Sequence, residues 1–168
     1  MTQNNVSSET QNNYIFKYIY IASDHAGLQL KDFLVKHLMQ QLNLRFNKVI
    51  DLGPLVGSTE ATRCDYPDFA HKVCTHIKTD TDAGILICGS GVGMSITANR
   101  HPHIRAALAH NKHLAGLSRQ HNNANVLCLG QQFVAPDDAL NMAQIFLTTT
   151  FDGGRHSVRL AKLNLQNI

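Results

Sequence analysis

Short apolar runs alternate with longer amphipathic segments along nearly the whole chain, and this alternation restricts the possible folds more than any other feature. The run at 82–88 (DAGILIC) is apolar after its first residue, as in strands that are buried on both faces of a sheet. The segment at 28–42 (LQLKDFLVKHLMQQL) instead repeats its apolar residues at the spacing of one helix face. Strands that alternate with helices predict a parallel sheet covered on both faces, which is an α/β fold.

The same pattern gives five strands and six helices along the chain. Strands are predicted at 17–23, 48–53, 82–88, 104–109 and 125–130. Helices are predicted at 28–42, 67–78, 91–99, 112–120, 136–150 and 155–167. We expect a single domain over 14–168, preceded by a disordered polar tail at 1–13. Because ligands bind at the carboxyl ends of the strands in such sheets, the residues that follow each strand are the candidate site residues.

Charge and composition exclude several classes of function. Lys and Arg number 15 against 12 Asp and Glu, and the resulting net charge of +3 is too small to predict a nucleic-acid partner. No apolar stretch reaches the roughly 18 residues of a membrane span, so no membrane partner is predicted and a cytoplasmic location is expected. The four cysteines are far apart in the sequence, which predicts reduced thiols rather than disulfides or a zinc cluster.

Cys88 ends the third predicted strand, and a glycine-rich turn follows it. Gly89, Gly91 and Gly93 allow backbone N–H groups to point into a concavity at the start of the next helix, which suits an anion. The same position favours a thiolate at Cys88, and a thiolate can act as a base. The alternative is a phosphate-binding glycine turn in which Cys88 is only a small buried hydrophobic residue.

Other charged residues also fall at element ends. Asp24 and His25 follow the first strand, where they can orient a sugar hydroxyl and bind an anion, or serve only as a helix cap. His121 precedes the last strand and can act as acid or base, or can be structural. Arg155 and Arg159 share one helix face and suit a phosphate dianion, or form an exposed basic face. His110 and His113 have helical spacing but no accompanying carboxylate, so no metal site is predicted.

Six motifs occur in the order SDHAG, RCDYPDFA, GILICGSGVGMSITANR, IRAAL, LSRQHNNANVLCLG and FDGGRH. This series resembles the ribose-5-phosphate isomerase B family, which includes the subunits of galactose-6-phosphate isomerase, and the resemblance extends over 18–163. It implies a Rossmann-like three-layer αβα sandwich around a five-stranded parallel sheet. It also implies an aldose–ketose isomerase that needs no metal or other cofactor and works as a homodimer or homotetramer. The active site is then expected at the dimer interface, with residues from both subunits.

The resemblance also implies roles for individual residues. Cys88 is the base that moves a proton between C2 and C1 of the open sugar. Asp24 and His121 assist ring opening, and the hydroxyl of Ser90 serves proton movement between O1 and O2. The remaining substrate-binding positions are His25, Tyr66, Gly89, Gly91, Val92, Gly93, Asn122, Arg155 and Arg159.

Two positions bear on the substrate. Some members of the family use a Glu base in the glycine loop, but Cys88 together with Val92 resembles the branch that depends on cysteine. Gln132 stands where many relatives carry an Arg near the phosphate. The sequence therefore predicts interconversion of D-ribose 5-phosphate and D-ribulose 5-phosphate in the non-oxidative pentose phosphate pathway. Isomerisation of a hexose 6-phosphate (allose or galactose) is the alternative within this chemistry, and a non-catalytic sugar-phosphate sensor is the alternative outside it.

Overall fold

A five-stranded parallel sheet forms the centre of the protein, as the alternation of strands and helices predicts. The computed structural model describes residues 14–41 and 47–163. Its strands are β1 (Tyr18–Ser23), β2 (Lys48–Asp51), β3 (Asp82–Cys88), β4 (Ala106–Leu108) and β5 (Val126–Gly130). Its helices are α1 (Leu28–Gln41), α2 (Tyr66–His76), α3 (Val92–Ala98), α4 (Lys112–Asn122), α5 (Pro136–Thr148) and α6 (Arg155–Leu160). Short 3₁₀ helices are present at His25–Gly27 and Thr59–Ala61.

The order of the strands defines one crevice at the edge of the sheet. The order is β2-β1-β3-β5-β4, and every neighbouring pair is parallel. After β1 the chain forms β2 on one side, and it then returns past β1 to form β3 on the other side. β1 and β3 are therefore neighbours whose outgoing connections diverge, and ligands bind outside the carboxyl ends of such strands.

Both faces of the sheet are covered by helices, which confirms the predicted three-layer α/β fold. On one face, Ile85 and Ile87 of β3 belong to a core that includes Leu34 of α1 and Phe146 of α5. On the other face, Cys88 belongs to a core that α2 and α3 complete. Since side chains alternate along a strand, Cys88 and Ile87 point to opposite faces. The thiol of Cys88 therefore faces α2 and α3.

Two elements near the amino edge of the sheet differ from their predicted bounds. Helix α4 extends to Asn122 because Asn123, with a φ of 45°, adopts the left-handed conformation that ends helices. Strand β4 begins at Ala106 rather than at 104, since the N–H of Arg105 donates to the side chain of Asn125 at 2.8 Å. His121 and Asn122 consequently lie on the last helical turn and not in a loop.

The two ends of the chain are only partly described. Helix α6 ends at Leu160, and 161–163 form a turn in which the N–H of Leu163 donates to the carbonyl of Leu160 at 3.0 Å. The rest of the predicted last helix, at 164–167, and the predicted tail at 1–13 lie outside the described residues. None of the helices within 14–41 and 47–163 combines the length and hydrophobicity needed to cross a bilayer.

Candidate active site

Cys88 and Asp24 lie side by side at the crevice between β1 and β3. Cys88 is the last residue of β3, and Asp24 follows β1 directly. The N–H of Asp24 donates to the carbonyl of Ile87, the residue before the cysteine, at 3.2 Å. Only 5% of Cys88 and 7% of Asp24 is exposed. The structure therefore places Cys88 and Asp24 on neighbouring strand ends, at the edge where the topology favours a ligand.

The glycine turn after β3 is shaped around the sulfur atom. Gly91 has a φ of 78°, and its N–H donates to Sγ of Cys88 at 3.1 Å. A Cβ at Gly91 would lie 2.9 Å from the carbonyl carbon of Leu129 in β5, so the close approach of the strand excludes any larger residue. The amide dipole points its positive end at the sulfur, and this polarity stabilises negative charge there.

The backbone amides of the turn are used differently from the prediction. The sequence predicted that they point outward to an anion. The N–H of Gly91 instead bonds to the sulfur, and the N–H of Val92 donates to Oγ of Ser90 at 3.3 Å. These two amides therefore orient the thiol of Cys88 and the exposed hydroxyl of Ser90.

The other buried cysteines are chemically unlike Cys88. All four cysteines are free thiols, as predicted. Cys74 and Cys128 are completely buried. Burial raises the pKa of Cys74 to about 12 and raises that of Cys128 well above its usual range. Both thiols therefore stay protonated and inert, whereas Cys88 is at the edge of the core beside the exposed Ser90.

Asp24 has the helix-cap role that the sequence allowed, and its position at the crevice leaves its predicted role in the site open. Its carboxylate caps the 3₁₀ helix at His25–Gly27 by accepting the N–H of Gly27 at 3.0 Å. Burial raises the pKa of Asp24, and the hydrogen bond from Gly27 and the charge of His25 offset only part of this rise. A carboxyl with a raised pKa exchanges protons more readily near neutral pH, which suits an acid or base beside Cys88.

His25 and Tyr66 flank the same crevice. Nδ1 of the exposed His25 lies 3.0 Å from the carbonyl oxygen of Cys64, so the backbone of the loop before α2 fixes the orientation of the imidazole. The ring of Tyr66 packs on Gly93, where an added Cβ would lie only 2.7 Å from Cε2 of the tyrosine. Together these residues form what we call the cysteine half-site, which consists of Asp24, His25, Tyr66 and 88–93.

The remaining predicted residues lie at the opposite edge of the sheet. Helix α4 ends at Asn122 and leads into the amino end of β5. A groove of about 1320 Å³ contains His121 and Asn122 there. It is also lined by residues that precede β3, β4 and β5, which are Lys78, Thr79, Asp80, Ile104, Arg105 and Asn125. Strand β3 has seven residues and is about 20 Å long, so one chain does not bring His121 to Cys88.

Two residues beside His121 were not predicted from the sequence. The rings of His121 and His156 stack with their centroids 4.3 Å apart and an angle of 6° between their planes. His156 is buried, and its Nε2 lies 3.4 Å from Nε of Arg155. Burial lowers the pKa of His156, and the charges of His121 and the neighbouring arginines lower it further. The charge of Asp152 opposes this shift, and the lowered pKa favours the neutral imidazole of His156.

Asp152 is the second of these two residues and lies close to both His121 and His156. Its backbone N–H donates to the carbonyl of Gln120, which ties the loop before α6 to the end of α4. Ligand atoms of His121, Asp152 and His156 all lie within 4.8 Å of one another. No sequence spacing indicates such a group, because its members are 31 and 4 residues apart. We call the residues at this edge the histidine half-site, which consists of His121, Asn122, Asp152, Arg155, His156 and Arg159.

The two predicted arginines lie on one helix face, but they are apart from His25. Arg155 begins α6 and Arg159 lies one turn later, and both side chains are exposed. Their spacing places them on one face of the helix, as predicted. The structure therefore places the predicted phosphate-binding arginines with His121 and separates them from His25.

The comparison with known proteins connects this arrangement to one family. The model of the ribose/galactose isomerase family matches residues 19–163. The chain belongs to this family. The match covers the cysteine half-site and the histidine half-site, and it confirms the resemblance that the six motifs predict.

Individual members are similar to the chain over nearly their full length. A ribose-5-phosphate isomerase B of Escherichia coli strain K12 is 39% identical over 145 residues, which are 86% of this chain and 92% of that protein. The structure of ribose 5-phosphate isomerase B from Anaplasma phagocytophilum has a TM-score of 0.81 at 45% identity and covers 90% of this chain and 99% of its own. A structure of ribose-5-phosphate isomerase B from Mycoplasma genitalium is described with bound ribulose-5-phosphate. It has a TM-score of 0.78 at 44% identity and covers 87% of this chain and 93% of its own.

Proposed function

We propose that the protein interconverts D-ribose 5-phosphate and D-ribulose 5-phosphate with Cys88 as the base. The observation that carries this proposal is the sulfur of Cys88, which accepts the N–H of Gly91 at 3.1 Å at the crevice that Asp24 also borders. Membership of the isomerase family and the likeness to a structure described with ribulose-5-phosphate support the choice of substrate. In this role the enzyme belongs to the non-oxidative pentose phosphate pathway.

The reaction needs one proton to move between carbons and one between oxygens. The thiolate of Cys88 removes the proton from C2 of the open aldose, and the electrons of that bond form an enediolate with negative charge on O1. The same proton, or one exchanged with solvent, is then delivered to C1. The hydroxyl of Ser90 passes the proton of O2 to O1, so that the C2 carbonyl of the ketose forms and no oxidant or reductant is consumed.

The substrate must first be opened and held. Sugar phosphates are mostly furanose rings, and Asp24 with His121 transfers the protons that open the ring. The phosphate is bound by His25, Arg155 and Arg159, whose positive charges and donors suit a dianion. Binding energy from the phosphate fixes the reacting carbons next to the sulfur.

These roles require the two half-sites to come from different subunits. Within one chain His121 and Cys88 are at opposite edges of a strand that is about 20 Å long. Next to the cysteine half-site, α3 exposes Val92 and Ile96, with 47% and 54% of their surface accessible. The groove at the histidine half-site offers apolar surface from Leu114, Leu117 and Leu160. We therefore propose a homodimer in which α3 of each copy packs into the groove of the other, and dimers can pair further into a tetramer.

Gln132 keeps a hexose 6-phosphate as the alternative substrate. Its amide nitrogen lies close to the glycine turn, 3.3 Å from where a Cβ on Gly89 would be. A neutral side chain at this place adds no charge for the phosphate and leaves room for a polar contact with a longer sugar. Comparison of kcat/KM on ribose 5-phosphate with kcat/KM on allose and galactose 6-phosphates decides between these substrates, and a strong preference for a hexose phosphate would replace the first choice.

The test of the proposal is the isomerase assay of the full chain and of Cys88→Ala, in the presence of a chelator. The wild type should be active without metal, and loss of the base should lower kcat by roughly 10²- to 10⁴-fold. Cys74→Ala, which removes a thiol buried away from the crevice, is the matched control and should keep its activity. Near-normal turnover by Cys88→Ala would refute the assignment of the base. Binding of the sugar phosphate without exchange of its carbon-bound hydrogen with solvent would support the sensor instead.

We also place the protein in the cytosol, where its four free thiols stay reduced.

A further inference from the structure

The group formed by His121, Asp152 and His156 has no complete role in the proposed reaction, in which only His121 takes part. Its three ligand atoms lie within 4.8 Å of one another, and His121 also lines the groove. We propose that this group binds a zinc-like divalent transition-metal ion, which inhibits the isomerase by occupying His121. The inhibitory consequence rests on the proposed function, whereas the binding site itself does not.

The donor set selects the class of ion. Two imidazole nitrogens and one carboxylate oxygen are the ligands of many three-ligand zinc sites, whose fourth position remains open for water. Magnesium and calcium prefer shells made of oxygen, so they fit this group poorly. Asp152 is exposed, which leaves an approach from solvent and space for a fourth ligand.

The backbone holds the three ligands near one another without shaping a finished site. His121 is on the last turn of α4, and the hydrogen bond from Asp152 N–H to Gln120 keeps the carboxylate beside it. His156 is fixed by burial at the start of α6. Zinc bonds of about 2.0–2.1 Å bring ligand atoms to roughly 3.4 Å from one another, so the stacked rings must rotate when the ion binds.

Two features lower the affinity of this group for zinc, and one of them can be removed by mutation. Nε2 of His156 must give up its contact with Nε of Arg155, which is 3.4 Å long. The positive charges of Arg155 and Arg159 also repel a cation. Removal of one arginine charge should therefore strengthen zinc binding at this group, whereas it has no reason to affect zinc bound elsewhere on the chain.

Occupation of the group blocks the role proposed for His121. A nitrogen whose lone pair is bound to a metal ion cannot accept a proton, and the ion stands where the sugar ring would enter. Zinc should therefore lower kcat, and a chelator should restore it. The metal acts here as an inhibitor, so the reaction itself remains independent of metals.

The experiment measures zinc binding to the full chain by calorimetry in a buffer without phosphate. The wild type should bind about one ion per chain at this group, and Asp152→Asn or His156→Gln should weaken it at least about tenfold, as loss of a ligand does. Arg159→Gln should tighten it. Asp152→Asn keeps the size of the side chain, and unchanged thermal unfolding shows that the fold is retained.

The matched control removes another pair of histidines. His71 and His101 lie with ring nitrogens 2.8 Å apart and are outside the group of His121, Asp152 and His156, although His101 lines the same groove. The double change His71→Gln and His101→Gln should leave the affinity at the proposed site unchanged. The proposal is overturned if the wild type binds no zinc, if Asp152→Asn binds zinc as the wild type does, or if only the control pair matters. Calorimetry does not depend on turnover, so an inactive wild type would refute the proposed function and leave the metal site to be judged by binding.

Discussion

At the scale of single residues, Asp24 serves the site at a cost to the stability of the fold. Its carboxyl is buried, and burial raises its pKa above the ordinary value although Gly27 and His25 favour the charged form. A group whose pKa is higher in the folded than in the unfolded state contributes stability only while it is protonated. That contribution is lost as the pH rises through the folded-state pKa, so ionised Asp24 destabilises the protein near neutral pH.

Replacement of Asp24 by Asn should therefore stabilise the protein and inactivate it. The amide oxygen of Asn can still accept the N–H of Gly27, but the uncharged side chain avoids the penalty of burial. The melting temperature of Asp24→Asn should exceed that of the wild type at neutral pH, and the difference should shrink as the pH falls below the pKa of Asp24. Ring opening should fail at every pH.

Thermal unfolding at several pH values checks the predicted stabilisation of Asp24→Asn, and the isomerase assay checks its predicted loss of activity. Asp68→Asn, which changes an exposed carboxylate of α2, is the control and should show no such dependence on pH. A melting temperature of Asp24→Asn below that of the wild type at neutral pH would contradict the account of the buried carboxyl.

The same scale shows what the sequence could and could not predict about the site. Cys88 ends one buried strand and Asp24 follows another, so the strand pattern alone placed both at one edge of the sheet. His156 was missed because its stacking on His121 joins helices that are far apart in the sequence. The direction of the Gly91 amide was also missed, since composition shows that a glycine turn is possible and not where each N–H points.

At the scale of elements, the end of α4 determines where the histidine half-site lies. Arg119 is buried against the stacked rings of Phe16 and Phe146, with its guanidinium carbon 4.8 and 5.7 Å from their centroids. It donates to the side chain of Asn123, to the carbonyl of Ala124 and to the carbonyl of Thr149. The guanidinium thereby joins the end of α4, which bears His121, to the end of α5 and the loop that follows it. Burial lowers the pKa of Arg119 to about 10, so it keeps its charge at neutral pH.

Replacement of Arg119 by Met should destabilise the protein by roughly 2–4 kcal/mol. Met keeps apolar contact with the two rings but leaves three acceptors without their donor, and the loss of such bonds to a charged group accounts for this magnitude. Arg119→Lys should have an intermediate effect because it keeps the charge and fewer of the bonds.

Urea denaturation of both variants gives the free energy of unfolding. Arg100→Met, at an exposed position after α3, serves as the control and should change this free energy by less than about 0.5 kcal/mol. If Arg119→Met unfolded at the same urea concentration as the wild type, the joining role of Arg119 would be wrong.

At the scale of the whole molecule, the fold was predictable from the pattern of strands and helices, whereas a site with residues from two subunits was expected only from the family resemblance. The alternation of strands and helices predicted the parallel sheet, and the strands were placed within two residues of their observed ends. The pattern contains no information on strand order, which puts β5 between β3 and β4. His121 was expected at the amino side of β5 because it precedes that strand, and the structure shows it on the last turn of α4.

A charge on the exposed face of α3 should prevent dimer formation. Ile96→Glu places a carboxylate on a surface that we propose to be buried against the groove of a second copy, and burial of an unpaired charge is strongly unfavourable. The variant should be a folded monomer without isomerase activity. Light scattering coupled to size exclusion reports the mass, and circular dichroism reports the fold.

The matched control is Met39→Glu, which changes a side chain of α1 with 48% of its surface exposed and should keep both the mass and the activity of the wild type. An Ile96→Glu variant that remained an active dimer would show that the subunits meet elsewhere.

The most direct test of the central claim, that Cys88 works with His121 of a second copy, is complementation between two inactive variants. Cys88→Ala and His121→Ala should each be inactive alone. After the two are dissociated, mixed in equal amounts and reassociated, about half of the dimers contain one chain of each kind, and each of these has one intact and one doubly defective site. Isomerase activity should therefore return to about one quarter of the wild-type value per chain. If mixed dimers form and no activity returns, the two residues do not act together across the interface and the account is wrong.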